Sequence, residues 1–258
     1  MSEFFDPSSL REMGVLDPGM IIALAAVALG GALRGFTGFG GALVIIPVFS
    51  IIFTPREAVP MHAVLEIPGL LQLLPTAVRF ADRPTVVPMI LALIASIPLG
   101  VGLLVSINPD IMRIIISVVV LMMVALIATN WRYSGPVRLP VSLGAGVTGG
   151  LIHGLTGIGG PVIVTVLMAR DDVTDTIRAN IIAMMGSLII VGLPILWIYG
   201  LLTPRVLIVG AIAAPVYLGC ITIGSRYYVG SGKEFHRRVS LTTLTVIGIS
   251  TLVAALMK

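Results

Sequence analysis

Charged residues are scarce in this chain. They make up 11% of its 258 residues, whereas hydrophobic residues make up 57%, and the mean hydropathy is +1.09. A soluble domain carries about 25% charged residues, so this chain has too few charges to cover a surface in water. Lipid must therefore solvate most of it.

Cysteines and runs of basic residues are also lacking. Cys220 is the only cysteine, which excludes an intramolecular disulfide and a cysteine-based metal site. The net charge is +4, but the bases stand singly between apolar segments, which argues against a nucleic-acid surface. Residues 1–18 hold four acids and one base instead of the basic and then apolar regions of a signal peptide. We expect an acidic extracytoplasmic tail there.

Ten apolar segments follow this tail. Six have the roughly 20 residues needed to cross a bilayer: Ala58–Val78, Pro84–Val105, Ile111–Asn130, Ile177–Tyr199, Pro204–Tyr228 and Val239–Met257. Four are shorter, namely Met20–Leu33, Ala42–Phe53, Leu139–Ile152 and Pro161–Ala169. At ~1.5 Å per residue these four reach about 13 to 21 Å, less than the ~30 Å hydrocarbon core. They form two helix pairs, 20–53 and 139–169, each of which either re-enters the membrane or spans it twice.

The distribution of arginine and lysine predicts the orientation. One set of connections holds ten bases and the opposite set holds five, and the positive-inside rule places the richer set in the cytoplasm. Both termini are then extracytoplasmic, because each helix pair contributes an even number of passes. Residues 131–138 form a cytoplasmic linker in this topology.

Two copies of one glycine-rich motif occur in the chain. Residues 30–41 (GGALRGFTGFGG, the first glycine motif) align without gaps on residues 149–160 (GGLIHGLTGIGG, the second), with seven of twelve positions identical and an offset of 119. Each motif joins a short helix pair that three spans follow, so repeat 1 covers 19–130 and repeat 2 covers 139–258. An odd number of crossings per half predicts an inverted-topology repeat in an all-α polytopic membrane protein. Glycines at this spacing are also explained by close helix packing alone.

The two glycine motifs are expected to form one anion site near the membrane midplane, where inverted repeats commonly bind substrate. New helices start after them at Ala42 and Pro161, and free amides and the helix dipole at such ends favour anions. Glycines allow close approach, threonines donate hydrogen bonds, and the guanidinium of Arg34 suits an oxyanion. The predicted substrate-binding residues are Arg34, Gly35, Thr37, Gly38, Gly40, Gly41, His153, Gly154, Thr156, Gly157, Gly159 and Gly160.

Three titratable residues are candidates for proton coupling: Glu66, His62 and His153. Glu66 lies roughly 12 Å into its segment, where a carboxyl group is costly unless it is paired or protonated. It is either a proton relay or a fixed partner of Arg34, and His62 lies one turn earlier on the same face. His153 replaces Arg34 in the second motif, either as an anion ligand when charged or as a neutral, hydrogen-bonded histidine. The spacing does not match H-E-x-x-H, so neither a metal nor a cofactor is expected.

Three other polar residues in the spans have simpler interpretations. Arg178 is expected to anchor its span at the cytoplasmic headgroups. Asn180 either lines the cavity or links neighbouring helices through a hydrogen bond, and the same holds for Gln72.

The paired motifs resemble those of the TauE/SafE family of sulfite and organosulfonate exporters. The resemblance rests on Arg34-Gly-Phe-Thr-Gly-Phe-Gly-Gly41, on His153-Gly-Leu-Thr-Gly-Ile-Gly-Gly160 and on the two-half layout, and it covers the chain after Pro18. It implies export of sulfite, sulfoacetate or a similar sulfur oxyanion across a bacterial inner membrane, with residues 35–41 and 154–160 at the site. The partners are then a small anion and the lipid bilayer, without nucleic acid, and both a monomer and a homodimer remain open.

Three functions compete at this point. The leading one is a gradient-driven anion transporter, since the sequence has no ATP-binding loop. An anion channel would use the same site with weaker binding and no gate. An intramembrane enzyme would use His153 or His62 with Glu66, but no Gly-x-Ser-x-Gly elbow supports it.

Overall fold

The structure is a computed structural model that describes residues 18–37, 40–129, 133, 135–169, 174–228 and 233–257. These residues form ten helices and no strand. The helices are α1 (Pro18–Thr37), α2 (Gly41–Ile52), α3 (Pro55–Phe80), α4 (Arg83–Ser106), α5 (Pro109–Ala128), α6 (Leu139–Thr156), α7 (Gly160–Leu167), α8 (Thr174–Ile198), α9 (Pro204–Tyr228) and α10 (Lys233–Leu256). The predicted all-α fold is confirmed, with one helix for each apolar segment. The expected acidic tail (1–17) and part of the linker lie outside the described residues.

Several of these helices are long and apolar enough to cross a membrane. By length and composition, five candidate spans lie within the described residues: Pro18–Gly35, Arg83–Ser106, Pro109–Ala128, Ala179–Ile198 and Pro204–Arg226. Large apolar side chains on the outside of the bundle, such as Leu99 and Trp197, are 66% and 72% exposed. Lipid is the solvent that suits such a surface, so the chain is a multi-pass membrane protein.

The first helix of each short pair is longer than the sequence predicts. α1 has 20 residues and α6 has 18, so at ~1.5 Å per residue they measure about 30 and 27 Å and are long enough to cross the hydrocarbon core. Both helices continue into their glycine motifs, and Arg34 and His153 are therefore helical. The prediction of four short helices is wrong for these two, whereas α2 and α7 have only 12 and 8 residues.

Close packing against a neighbouring helix accounts for these longer helices. A Cβ atom on Gly35 would lie 2.4 Å from the carbonyl oxygen of Ile221 on α9, and one on Gly154 would lie 2.4 Å from that of Ile97 on α4. Glycine is unfavourable inside an isolated helix by about 1 kcal/mol relative to alanine. Here its missing side chain allows backbones to touch, which offsets that cost.

The same packing recurs in both halves of the chain. α1 packs on α2 and α9, and its counterpart α6 packs on α7 and α4. In addition, α3 contacts α8, and α5 contacts α10. A Cβ atom on Gly30 would lie 2.7 Å from the side chain of Ile45, and one on Gly149 would lie 2.7 Å from that of Ile163. Corresponding helices of the two halves thus make corresponding contacts: α1 and α6 each pack on a helix of the other half, and α3 and α8 meet where the halves join.

Two glycines with left-handed backbone lie at the helix breaks. Gly40 precedes α2 with φ 110°, and Gly157 follows α6 with φ 74°. Residues with a side chain rarely adopt such angles. These breaks place the starts of α2 and α7 beside the α3–α8 contact.

Candidate functional site

A cavity of about 60 Å³ lies where the two glycine motifs meet α3 and α8, and we call it the central cavity. A water molecule needs roughly 10–15 Å³ on the same measure, so the space suits a ligand of a few heavy atoms. Its walls are formed by Arg34, Gly40, Ala42, Leu43, His62, Ala63, Glu66, His153, Gly157, Ile158, Gly160, Pro161, Met185, Leu188 and Ile189.

An ion pair supplies the charge in this wall. Arg34 Nη1 donates a hydrogen bond to Glu66 Oε1, and the Tyr217 hydroxyl donates to the same oxygen at 2.6 Å. Glu66 and Tyr217 are only 4% and 1% exposed, whereas 22% of the Arg34 side chain is exposed. Glu66 is thus held from two sides, and the partly exposed Arg34 side chain lies in the cavity wall. The expected pairing of Glu66 with Arg34 is present in the structure, and its role as a proton relay stays a prediction.

The pair leaves the site without surplus charge. The guanidinium carries one positive charge and an ionised Glu66 carries one negative charge, while the nearby histidines add none when they are neutral. Removing one partner of a buried pair leaves an uncompensated charge that costs several kcal/mol. An anion that binds Arg34 therefore competes with the Glu66 carboxylate.

Two histidines, one from each half, flank the central cavity. His62 is 6% exposed, and its Nε2 atom lies 3.4 Å from Glu66 Oε1. Among the described residues, this nitrogen has no hydrogen-bond partner, and His153 lines the opposite part of the wall. Buried polar atoms normally do have a partner, so the His62 nitrogen indicates that the cavity takes a polar ligand or water.

Only some of the predicted glycines face the central cavity. Gly40, Gly157 and Gly160 line it, whereas Gly35, Gly41, Gly154 and Gly159 lie against neighbouring atoms. A Cβ atom on Gly159, for example, would lie 2.0 Å from the carbonyl oxygen of Gly149. Close packing explains glycine at these four positions.

The second-motif threonine does not face the cavity. Thr156 is fully buried, and its hydroxyl donates to Ile152 O at 2.8 Å and accepts from Ile158 N at 3.3 Å. It stabilises the end of α6, which differs from the predicted role in substrate binding. The side chain of Thr37 and all of Gly38 lie outside the described residues.

Asn180 links two helices. Its Oδ1 accepts a hydrogen bond from the backbone N–H of Asp82 at 2.7 Å, which connects α8 to the residue preceding α4. This geometry fits the interhelical interpretation, and Asn180 does not line the central cavity. The side chains of Gln72 and Arg178 lie outside the described part of the chain.

Tyr217 and Met185 also belong to the site, although neither was predicted from the sequence. Tyr217 lies in the middle of α9, and a buried tyrosine hydroxyl normally has a hydrogen-bond partner. A tyrosine at this place in an apolar segment could therefore have indicated a polar contact. Met185 lies 119 residues after Glu66, the offset of the two motifs. It lies opposite Gly160, whose added Cβ atom would be 3.0 Å from the Met185 sulfur. Nothing but that offset marked it in the sequence.

These features define a multi-pass helical membrane protein with an ion pair at an internal cavity. The sequence profile of the sulfite exporter TauE/SafE family matches residues 22–251, and the chain belongs to this family. The family consists of membrane permeases that export sulfite and sulfonates, and its proteins are transporters rather than enzymes. No curated protein and no solved structure matches the chain.

Proposed function

We propose that this chain is a secondary transporter of a bacterial inner membrane, with both termini extracytoplasmic. It exports a small sulfur oxyanion, sulfite or an organosulfonate such as sulfoacetate, and a proton accompanies the anion. The observation that carries the proposal is the Arg34–Glu66 pair at the wall of the central cavity. Family membership supports the substrate class.

Two groups of donors make the cavity suitable for an oxyanion. Arg34 presents a planar set of N–H groups that matches an oxyanion. The starts of α2 and α7 lie in the wall through Ala42 and Gly160, and helix N-termini attract negative charge. The remaining wall is mainly apolar, with Leu43, Leu188 and Ile189, so water screens these charges only weakly.

Charge balance then couples the anion to a proton. A monoanion that binds Arg34 while Glu66 is ionised leaves one unbalanced negative charge inside the membrane, which is costly. Protonation of Glu66 removes that charge and releases the guanidinium for the anion. Anion and proton therefore bind together, and the transport step for a monoanion is electroneutral.

The coupling sets the driving force for export. Since anion and proton move the same way, the membrane potential does not drive a monoanion, and export proceeds only while accumulation of the anion in the cell outweighs the inward pH gradient. Glu66 is the proton carrier in this scheme. His62 lies within 3.4 Å of it and lines the central cavity, so it is placed to pass the proton on.

Alternating access is supported by the recurrent packing of the halves. Gly35 with α9 and Gly154 with α4 make equivalent close contacts, as inverted repeats do when they exchange conformations about a fixed site. We propose repeat boundaries of 19–130 and 139–258. Both glycine motifs then contribute to one site.

Calorimetric titration of the purified protein tests the binding site. The ligands are sulfite, sulfate, thiosulfate, sulfoacetate, taurine and chloride, each at two pH values. We expect sulfite or sulfoacetate to bind best, with tighter binding at lower pH, because Glu66 must take up a proton. An affinity that is the same for chloride and sulfite, or that does not depend on pH, would contradict the proposal.

Flux in proteoliposomes separates a transporter from a channel. A transporter shows sulfite flux that saturates at low concentration and responds to an imposed proton gradient. Flux that rises linearly with sulfite and ignores the proton gradient would instead support a channel.

A further inference from the structure

Two more cavities adjoin the central one. The first, of about 60 Å³, is lined by Arg34, Gly69, Leu70 and Met185 among others, and we call it the Gly69 cavity. The second, of about 10 Å³, is lined by Val59, His153, Gly192 and Leu196 among others, and we call it the Gly192 cavity. Both are mainly apolar, and each shares part of its wall with the central cavity.

The three cavities form a row along the α3–α8 contact. On α3, the row runs from the Gly192 cavity at Val59 through the central cavity at His62 to the Gly69 cavity at Leu70. The eleven-residue step from Val59 to Leu70 corresponds to about 16 Å along a helix, roughly half of the ~30 Å hydrocarbon core.

The order along α8 is reversed. The Gly192 cavity reaches Leu196, the central cavity reaches Leu188, and the Gly69 cavity reaches Ile181. α3 and α8 therefore run in opposite directions on the two sides of the row. A row that follows both helices is the arrangement expected of a path through the bundle.

Some residues line two neighbouring cavities and so mark the boundary between those cavities. Arg34, Met185 and Ile189 belong to both the Gly69 cavity and the central cavity. His62 and His153 belong to both the central cavity and the Gly192 cavity. The Arg34 side chain thus borders two cavities, and the two histidines lie between the central cavity and the Gly192 cavity.

We propose that the three cavities are successive positions on one anion path, with the Gly69 cavity as a second anion-binding position. Arg34 transfers the anion between the Gly69 cavity and the central cavity. Met185, an unbranched and adaptable side chain, moves aside at this step, and the histidine pair closes the opposite end. This inference rests on the proposed function, because it assumes that an anion crosses the bundle.

Cysteine labelling tests the path, because Cys220 is the only native cysteine. In a Cys220→Ala background, Gly69→Cys and Gly192→Cys place single thiols in the two flanking cavities. Both changes fit, since a Cβ atom on Gly69 meets nothing within 4 Å and one on Gly192 comes no closer than 3.6 Å, to His153 Nε2. Gly144→Cys is the matched control. Gly144 is also free of neighbours within 4 Å, but it lies on the outer surface of α6 and lines none of the three cavities.

The reagents are an anionic sulfonatoethyl methanethiosulfonate and its cationic trimethylammonium analogue, applied to right-side-out and inside-out vesicles. We expect Gly69→Cys to react from one face and Gly192→Cys from the opposite face, both faster than Gly144→Cys. At Gly69→Cys we expect the anionic reagent to react several-fold faster than the cationic one, and sulfite to slow the reaction of the anionic reagent. Adding Arg34→Gln to this variant should remove the preference for the anionic reagent.

Reaction of both thiols from the same face would overturn the path, as would rates equal to that of Gly144→Cys. Loss of the anionic preference with Arg34 intact would overturn the second binding position. Sulfite flux by the unlabelled Cys220→Ala protein is measured in the same vesicles. Flux without the expected labelling contradicts the path alone, whereas labelling without flux contradicts the proposed function.

Discussion

The Tyr217 hydroxyl donates a hydrogen bond to Glu66 Oε1 at 2.6 Å and so joins α9 to α3. The same hydroxyl would lie 2.5 Å from a Cβ atom on Gly41. Glycine at the start of α2 therefore leaves room for the tyrosine, and the tyrosine holds Glu66 where it meets Arg34. This relationship accounts for Gly41 without contact between that residue and an anion.

Tyr217→Phe is expected to tighten sulfite binding at neutral pH by about tenfold. A hydrogen bond to a charged group contributes about 1.5–3 kcal/mol, and each 1.4 kcal/mol is a factor of ten. Without this bond the Glu66 carboxylate is held less firmly beside Arg34, so the guanidinium exchanges Glu66 for the anion more easily. Calorimetry of the purified variant measures the change.

Tyr199→Phe is the control for that measurement. The Tyr199 hydroxyl donates a long, exposed hydrogen bond of 3.4 Å to Pro98 O, and its removal should leave sulfite affinity unchanged. If Tyr217→Phe binds sulfite with the wild-type affinity, Tyr217 does not act through Glu66.

Gly41→Ala is expected to disturb the site through Tyr217. Its Cβ atom conflicts with the hydroxyl, whereas the next tyrosine atom, Cζ, is 3.3 Å away. In a Tyr217→Phe background the conflict is relieved, so Gly41→Ala should change sulfite flux much less there. A double-mutant cycle of flux measures this coupling. Equal effects of Gly41→Ala in both backgrounds would show that Gly41 acts by another contact.

Gly154→Ala is expected to lower the melting temperature in detergent by several degrees. Its Cβ atom would lie 2.4 Å from Ile97 O and 2.9 Å from Val101 N, and backbone atoms cannot move aside without separating α6 from α4. Gly144→Ala on the same helix has open space around it and should keep or slightly raise the melting temperature, since alanine favours helix. Equal melting temperatures for the two variants would argue against close packing at Gly154.

Arg34→Ala is expected to abolish sulfite binding and to destabilise the protein. It leaves the Glu66 carboxylate buried without its cation, which costs roughly 3–5 kcal/mol. The double variant Arg34→Ala/Glu66→Gln should recover much of the thermal stability but not the binding. Sulfite binding by the stable double variant would remove Arg34 from the site.

Much of the fold could be predicted from apolar segment lengths alone. Proline and charged residues bound the spans, so α9 begins at Pro204 as expected. The lengths of α1 and α6 could not be predicted, because glycine inside a helix is unfavourable unless a neighbouring backbone comes close. That neighbour, α9 for Gly35 and α4 for Gly154, is more than 50 residues away in sequence.

The candidate site was only partly visible in the sequence. An arginine and a glutamate inside apolar segments require partners, and this requirement made pairing with Arg34 one of the two expectations for Glu66. The motif by itself did not distinguish glycines that line the cavity, such as Gly157, from those that pack helices, such as Gly154. Tyr217 was missed because its role depends on how α9 packs against α3.

The charge carried per sulfite is the most direct test of the coupling through Glu66. Reversal potentials in proteoliposomes with imposed sulfite, proton and potassium gradients give that charge for the wild type and for Glu66→Gln. We expect the variant still to transport sulfite but to carry one more negative charge per turnover than the wild type, with a flux that no longer follows the proton gradient. The same charge per turnover in both proteins would contradict coupling through Glu66.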